Sequence, residues 1–295
     1  MTLDQLRIFV AVAERQHVTR AAEALNIVQS AVSAAVSALE GRHAVKLFHR
    51  VGRRIELTEA GDVFLTEARA VLARAEAAEW VLADLSGLRR GTLRVHASQT
   101  IASHWLPRHL VAFRKAYPEI AIRLAVGNTA DVASAIGEGA AELGFVEGDI
   151  DEPALASVPV AQDRLVLVVP PAHPLATATA LTAADLAAYP FVLREAGSGT
   201  RSAFEAALAA AGLPSGRLTV ALELPSNEAV LAAVEAGAGA SVLSEVVVAD
   251  KLAAGTLAAA PFPLPTRTFR MLRHKERYRS RAADALLGII QEDAR

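Results

Sequence analysis

The chain has 295 residues, 53 % of them hydrophobic and 21 % charged, with a formal net charge of −2 and no cysteine. That length suits two or three compact units, the composition excludes a disordered chain, and the missing cysteines exclude disulfides, thiolate metal sites and a cysteine nucleophile. No apolar run approaches the roughly 20 residues that span a bilayer, and the start MTLDQLRIFV lacks the basic and hydrophobic regions of a secretion signal, so a cytoplasmic protein without membrane contact is expected.

The small net charge hides an asymmetry. Residues 1–58 hold eight Arg and Lys against five Asp and Glu, a net +3 that leaves −5 for the remainder. A basic first unit on an acidic body is compatible with polyanion binding at the N-terminus.

Leu3, Leu6, Ile8, Phe9, Val12 and Ala13 follow a helical period from Leu3 to Glu14, and HVTRAAEAL restarts a helix with Thr19 as its N-cap. A third helix is predicted from Gln29 to Glu40. There NIVQSAVSAAVSALE puts Val32, Val36 and Leu39 on one stripe and Gln29, Ser30, Ser33, Ala34 and Ser37 on the other face. Three short helices so joined fit a helix-turn-helix whose last helix enters the DNA major groove. Gln29 matches the donor and acceptor of adenine, serine hydroxyls donate or accept, and Ala34 suits a thymine methyl. VKLFHRVGRRIELTEAG then reads as strand, turn at Gly52, strand and helix start, with His49, Arg50, Arg53 and Arg54 at the tip. Long cations there would pair with phosphates beside the groove, making residues 1–58 a winged helix-turn-helix. The same spacing also fits a solvated three-helix unit with an ordinary basic turn.

From Thr58 to about Leu88 the chain has no proline, and Phe64, Ala68, Val71, Leu72, Ala75, Ala78, Leu82 and Leu85 recur at three- or four-residue steps. A helix of ~30 residues would be ~45 Å long, and its apolar stripe requires cover from the chain's own body or from a second copy. SGLRRG, Ser86 to Gly91, ends it as a hinge, so residues 59–90 form a linker helix and hinge.

Beyond Gly91 strands alternate with helices: TLRVHA, a helix in HWLPRHLVAFRKAYP, IAIRLAVG, a helix in TADVASAIGEG, then AELGFVEG. This alternation predicts an α/β body with parallel sheet and crossover helices. A second set begins near Asp163 with RLVLVVP, PFVLRE, a helix from about Thr200, LTVALEL, a helix from Asn227 and GASVLS. TFRMLRHK and a terminal helix from Ser280 then return to the first set. The expectation is two lobes, residues 91–161 with 267–295 and residues 162–266, flanking a cleft at the carboxyl ends of the strands. Those ends carry Ser98, Gln99 and Thr100, Asn128 and Thr129, Glu147, Ser198, Thr200 and Arg201, and Asn227. Small or hydroxylated residues at helix starts favour an anion, and Arg201 could pair two-pronged with carboxylate, sulfate or phosphate. Each turn taken alone also fits a plain capped helix.

The run LRIFVAVAERQHVTRAAEALNIVQSAVSAAVSALE, followed by KLFHR and LTEAG, resembles the DNA-binding domain of LysR-type transcriptional regulators. REAGSGTR with ELPSNEAV resembles the effector domain in the branch containing regulators of carbon fixation and sulfur assimilation, so the resemblance covers essentially the whole chain. It implies a body of the type II periplasmic-binding-protein fold and a long helix that pairs with another copy, in a homodimer or homotetramer. It implies double-stranded DNA at Gln29, Ser30 and Ser33, with Thr19 and Arg20 beside them, and phosphates at Arg50, Arg53 and Arg54. RNA polymerase is the further partner implied. Ser98, Thr100, Asn128, Thr129, Ser198, Thr200, Arg201 and Asn227 are the implied effector contacts, with Gln99 and Glu147 at the same strand ends.

Several positions depart from the family pattern. Val28 and Ser30 stand where the family has a Ser or Thr before the glutamine and a proline after it, which removes a cap worth about 1 kcal/mol; Asn26 or Ser30 is the expected replacement. Ala34, Ala35, Ser37 and Ala38 stand where cations or glutamine are common. Weak DNA affinity per subunit is therefore expected, with the wing and dimerisation supplying much of the binding. Gln99 and Ala102 differ from the family's STTIG-like run, which bears on the identity of the effector.

Other classes fit less of the chain. GSGTR lacks the strand, Ser and helix of a GxSxG elbow, no histidine sits where it would activate a serine, and neither HExxH nor GxxxxGK[ST] occurs. No catalytic residue, metal or cofactor is expected. A cytosolic solute-binding protein would use the body alone, and an architectural DNA protein would use only the first unit. The expected function is a regulator that binds DNA and responds to a small metabolite, an anion being the form the turns favour.

Overall fold

The computed structural model describes residues 1–51, 54–85, 91–148 and 150–293. Gly52, Arg53 and most of the expected hinge, residues 86–90, lie outside the described residues. The chain forms two compact units, an N-terminal one and the body beyond it.

The N-terminal unit begins with α1 (Leu3–Arg15), opened by a capping box in which Thr2 Oγ1 accepts from Gln5 N at 3.2 Å and Gln5 Oε1 accepts from Thr2 N at 3.0 Å. Next come α2 (Val18–Leu25) and α3 (Gln29–His43). Leu6, Phe9 and Val12 from α1, Ala21 and Ala22 from α2, and Val32 and Leu39 from α3 are buried. The N-cap expected at Thr19 belongs to His17, whose Nδ1 accepts from Arg20 N at 3.4 Å. The helix starts one residue before the threonine, so Thr19 lies within its first turn. Neither proposed substitute caps α3. Asn26 adopts a left-handed conformation that closes α2, Ser30 is already helical, and Val28 precedes α3 with no side-chain hydrogen bond.

A two-stranded hairpin, β1 (Phe48–Val51) and β2 (Arg54–Leu57), follows α3. Its entry is fixed by buried Glu40, which accepts from Lys46 Nζ at 2.6 Å, Leu47 N at 2.9 Å and Phe48 N at 3.2 Å. The hydrogen bonds from Lys46, Leu47 and Phe48 hold the Glu40 carboxyl below its ordinary pKa, although burial opposes them. Helix α4 (Glu59–Leu85) then starts against the hairpin's base. A Cβ at Gly61 would lie 2.1 Å from Leu47 O, so only glycine allows this approach. Phe64 of α4 and Phe48 flank Phe9, with ring centroids 4.9 and 5.4 Å away.

In the body, β3 (Gly91–Ser98) runs through a π-helical turn (Ile101–Trp105) into α5 (Leu106–Ala116). Then come β4 (Ile120–Gly127), α6 (Thr129–Glu138), β5 (Leu143–Glu147) and the long strand β6 (Leu155–Val169). The second lobe holds α7 (Ala183–Leu186), β7 (Pro190–Arg194), α8 (Gly199–Ala210), β8 (Thr219–Leu224), α9 (Asn227–Glu235), β9 (Ser241–Ser244), α10 (Glu245–Ala253) and β10 (Ala258–Ala260). Strand β11 (Thr266–His274) and α11 (Arg281–Asp293) return to the first lobe, where Leu286 and Ile290 join the core of Val95, Phe145 and Phe269.

The parallel pairing that the alternation predicts joins β3 with β4 and β5, and β7 with β8, and antiparallel strands are added to it. Strand β3 is parallel to β4 and β5, but β11 is antiparallel to both β5 and β6. The reason is the double crossing: β6 leaves the first lobe and β11 re-enters it, so the two run in opposite directions. The first part of β6 pairs with β11, and Leu165–Val169 pairs with β9 and β10. The β6–β11 register shifts beside Pro159, which has no N–H for the ladder. Among the described residues no single helix is long and apolar enough to cross a membrane.

Candidate DNA interface and effector cleft

Helix α3 buries Val32 and Leu39 and exposes Gln29, Ser30, Ser33, Ala34 and Ser37. Val28, immediately before it, is 68 % exposed. Thr19 and Arg20 at the start of α2, and Arg50 and Arg54 on the hairpin, are also exposed. The remaining wing cation, Arg53, lies outside the described residues.

In the body, hydrogen bonds bring most of the predicted strand ends together. Gln99 reaches across the lobes to the start of α9: its Oε1 accepts from Asn227 N at 2.7 Å and its Nε2 donates to Glu228 Oε2 at 3.1 Å. Asn227, itself buried, donates from Nδ2 to Thr100 Oγ1 at 3.2 Å and accepts at Oδ1 from Arg194 Nη1 at 2.6 Å. Arg194 uses its Nε and Nη2 on Glu195, at 2.8 and 2.9 Å.

A second group lies at the ends of β4 and β5 and the start of α8. Asn128 and Asp131 cap each other at the head of α6, each backbone N 3.0 Å from the other's side-chain oxygen. Ala130 N donates to Gly197 O at 3.3 Å. Gly197 has φ +86°, and a Cβ at Gly199 would come within 2.6 Å of Thr129 Oγ1, so both glycines are required by this close approach. Thr129 Oγ1 donates to Glu147 Oε2 at 3.1 Å. Ser198 is buried ahead of α8 without a side-chain cap bond. Behind this group, burial pushes the His96 imidazole below its ordinary pKa, against the Asp131 carboxylate and the Val126 backbone.

Arg201 has partners within its own lobe. Its Nε donates to Glu205 at 2.9 Å, and its Nη1 to the Arg194 carbonyl at 3.0 Å and to Glu223 at 2.5 Å. The hydrogen bonds to Glu205 and Glu223 push its pKa further up. The guanidinium among the cleft hydroxyls is Arg267, which sequence reasoning missed. Its Nη1 donates to Thr200 Oγ1 at 3.0 Å and its Nε to Asp163 Oδ2 at 2.7 Å, while Ser244 Oγ donates to Asp163 Oδ1 at 2.7 Å.

With this geometry in view, two family models match the chain: "Bacterial regulatory helix-turn-helix protein, lysR family" over residues 3–62 and "LysR substrate binding domain" over residues 86–295. The chain belongs to the LysR family of transcriptional regulators. A probable RuBisCO transcriptional regulator from Nostoc sp. is 35 % identical over 96 % of this chain and 86 % of its own length. Full-length CbnR, solved with its target DNA, is similar with a TM-score of 0.72 and 25 % identity, covering 99 % of both chains. The regulatory domain of Synechocystis CcmR in complex with 2-PG matches with a TM-score of 0.64 and 27 % identity, covering 69 % of this chain and 97 % of that one. These relatives and both families are regulators rather than enzymes.

This LysR regulator carries two signals that could have disclosed Arg267. It stands with Asp163 at the two lobe crossings, and the two are register partners in β11 and β6. Each is also a charge beside a strand-forming run, RTFRML and DRLVLVV. A buried charge in such a run requires a partner.

Proposed function

We propose that this regulator reads DNA with the exposed serine-lined face of α3, grips the flanking phosphates with the hairpin arginines, and takes a small anionic effector between the lobes of its body. The observation that carries the DNA reading is the sidedness of α3. Val32 and Leu39 are buried while Gln29, Ser30, Ser33, Ala34 and Ser37 face outward, which leaves groove-compatible donors, acceptors and methyls free for base edges. Support for pairing through α4, residues 59–85 of the linker, comes from its outer face, where Val63, Val71 and Leu82 are 67, 41 and 69 % exposed. A dimer of dimers would set two such pairs along an operator. A cytoplasmic setting and contact with RNA polymerase complete the reading.

Support for an anionic effector comes from the buried hydroxyls and the Arg267 guanidinium, and from the anionic 2-PG in the CcmR complex. Effector binding would shift the population between arrangements of the oligomer, which requires unequal affinity for at least two of them. The DNA arm is tested by Arg53→Ala with Arg54→Ala, expected to weaken operator binding and lower the slope of log K against log salt by about 0.9 per lost phosphate contact. An unchanged slope refutes the wing's role. The effector arm is tested by footprinting with metabolite pools added; a footprint and bend angle that no pool alters refute the coupling.

A further inference from the structure

The deepest groups of the cleft specify more than a negative charge, and the inference drawn from them rests on the effector reading above. Ser98 is 2 % exposed and its Oγ has no hydrogen-bond partner. Arg267 is 6 % exposed, and its Nη2 has no hydrogen-bond partner either. Beside the second of these donors stands a buried acceptor. Glu147 is 4 % exposed; its Oε2 accepts from Thr129, and its Oε1 stands 4.0 Å from Arg267 Nη2.

Strand register accounts for the approach of Arg267 to Glu147 and sets Ser98 at the end of the neighbouring strand. Ala97 of β3 pairs with Phe145 of β5, so Ser98 and Glu147 end adjacent strands. Phe269 of β11 pairs with Glu147, and Arg267, two residues earlier, lies on the same side of that strand as Phe269. A carboxylate beside unpartnered donors would repel an ordinary anion. The Arg267 charge is already matched by Asp163 at 2.7 Å, which leaves the Glu147 charge in excess. An oxygen about 2.8 Å from each of two atoms 4.0 Å apart subtends an angle of ~90°. A hydroxyl oxygen in that place accepts from Arg267 Nη2 and donates its proton to Glu147 Oε1. A fully ionised oxygen there faces Glu147 with lone pairs only.

We propose that the cleft selects an oxyanion that still carries a hydroxyl proton, O–H beside O⁻, with Glu147 as the residue that requires the proton and Ser98 and Arg267 Nη2 as donors to the oxygens. Two sources supply this chemistry, a hydrogen phosphate group and a 2-hydroxy carboxylate. Sulfate and plain carboxylates, which have no hydroxyl at neutral pH, are excluded by Glu147.

Calorimetric titration of the full-length protein at pH 7 tests this with two matched pairs, inorganic phosphate against sulfate and glycolate against acetate. Within the pair that represents the effector, the hydroxyl-bearing member binds about tenfold tighter or more, the scale of a hydrogen bond to a charged group. The pair that shows the preference identifies the source. Glu147→Gln, whose amide donates as well as accepts, brings the ratio towards one. Ser98→Ala weakens binding while leaving the ratio intact, and it serves if the Glu147 variant does not fold. Sulfate binding as tightly as phosphate, and acetate as tightly as glycolate, all weakened by Ser98→Ala, overturns the proton requirement while leaving the effector site in place. Binding of none of the four also overturns it. The effector reading then stands or falls on the footprint experiment, which uses none of these probes.

Discussion

Asp163 and Arg267 are partners twice over: they face each other in the register of β6 and β11, and their side chains join at 2.7 Å between Oδ2 and Nε. Both residues are buried and sit where the chain passes between lobes. One ion pair therefore pins both crossings. Asp163→Ala, which leaves Arg267 only the more distant Glu147 carboxylate at 4.0 Å, is expected to lower unfolding free energy by about 3 kcal/mol. The double variant Asp163→Ala, Arg267→Met should recover most of that loss in urea titrations. A single variant as stable as the double would show that the pair does not hold the crossing.

The bridge from Gln99 to α9 gives a second expectation. Gln99→Ala removes one bond to Asn227 N and one to Glu228. Amide exchange at Asn227 should then quicken about fivefold or more, given roughly 1 kcal/mol for a net hydrogen bond. Unchanged protection would mean that the start of α9 is held without Gln99.

Val28 offers a stabilising change. Its backbone is extended, with φ −77° and ψ 144°, as an N-cap residue's should be, and only the side-chain acceptor is missing. Val28→Thr is expected to raise unfolding stability by about 1 kcal/mol, with Val28→Ala as the control that adds nothing. Equal stability of the two variants would rule out the cap.

Glu40 makes the N-terminal unit sensitive to acid in one direction. Its folded pKa lies below its unfolded one. Its contribution is therefore complete above the ordinary glutamate range and is lost as pH falls through the depressed folded value. Glu40→Ala, which leaves Leu47 N and Phe48 N without their acceptor, should destabilise the unit by about 2–3 kcal/mol at pH 7. The gap from wild type should shrink below pH 4, as urea titrations at both pH values would show; a constant gap would contradict the assignment.

The helices and most strands were legible because their apolar periods are local: the stripe of Val32, Val36 and Leu39 predicts the buried side of α3 from spacing alone. Caps were less legible, because a histidine accepts at Nδ1 as well as a threonine does at Oγ1, and a shift of two residues passed the role from Thr19 to His17. The start of β6 was hidden by Pro159, α10 by a run of three valines that reads as strand, and β10 by an alanine-rich run without a clear period. In the cleft, strand ends pointed to hydroxyls and amides. Arg267 escaped because it sits at the start of a strand and enters the site through a lobe crossing, a long-range relationship. The anionic partners of Arg201, Glu205 and Glu223, were hidden for a related reason, since they meet it only through the packing of its lobe.

The glycine at 61 has a mechanical consequence. With Leu47 O against its α-carbon and Thr58 bonded to Lys46 O and Leu47 O, the root of the hairpin has no slack relative to the first turn of α4. These contacts tie the hairpin root to the first turn of α4. A rod of 27 residues is ~40 Å long, so each 10° of swing about its far end carries the wing through ~7 Å, about two base-pair steps along a duplex. If two such rods pair as proposed, small rearrangements where they meet would be geared up into changes in which phosphates are within reach.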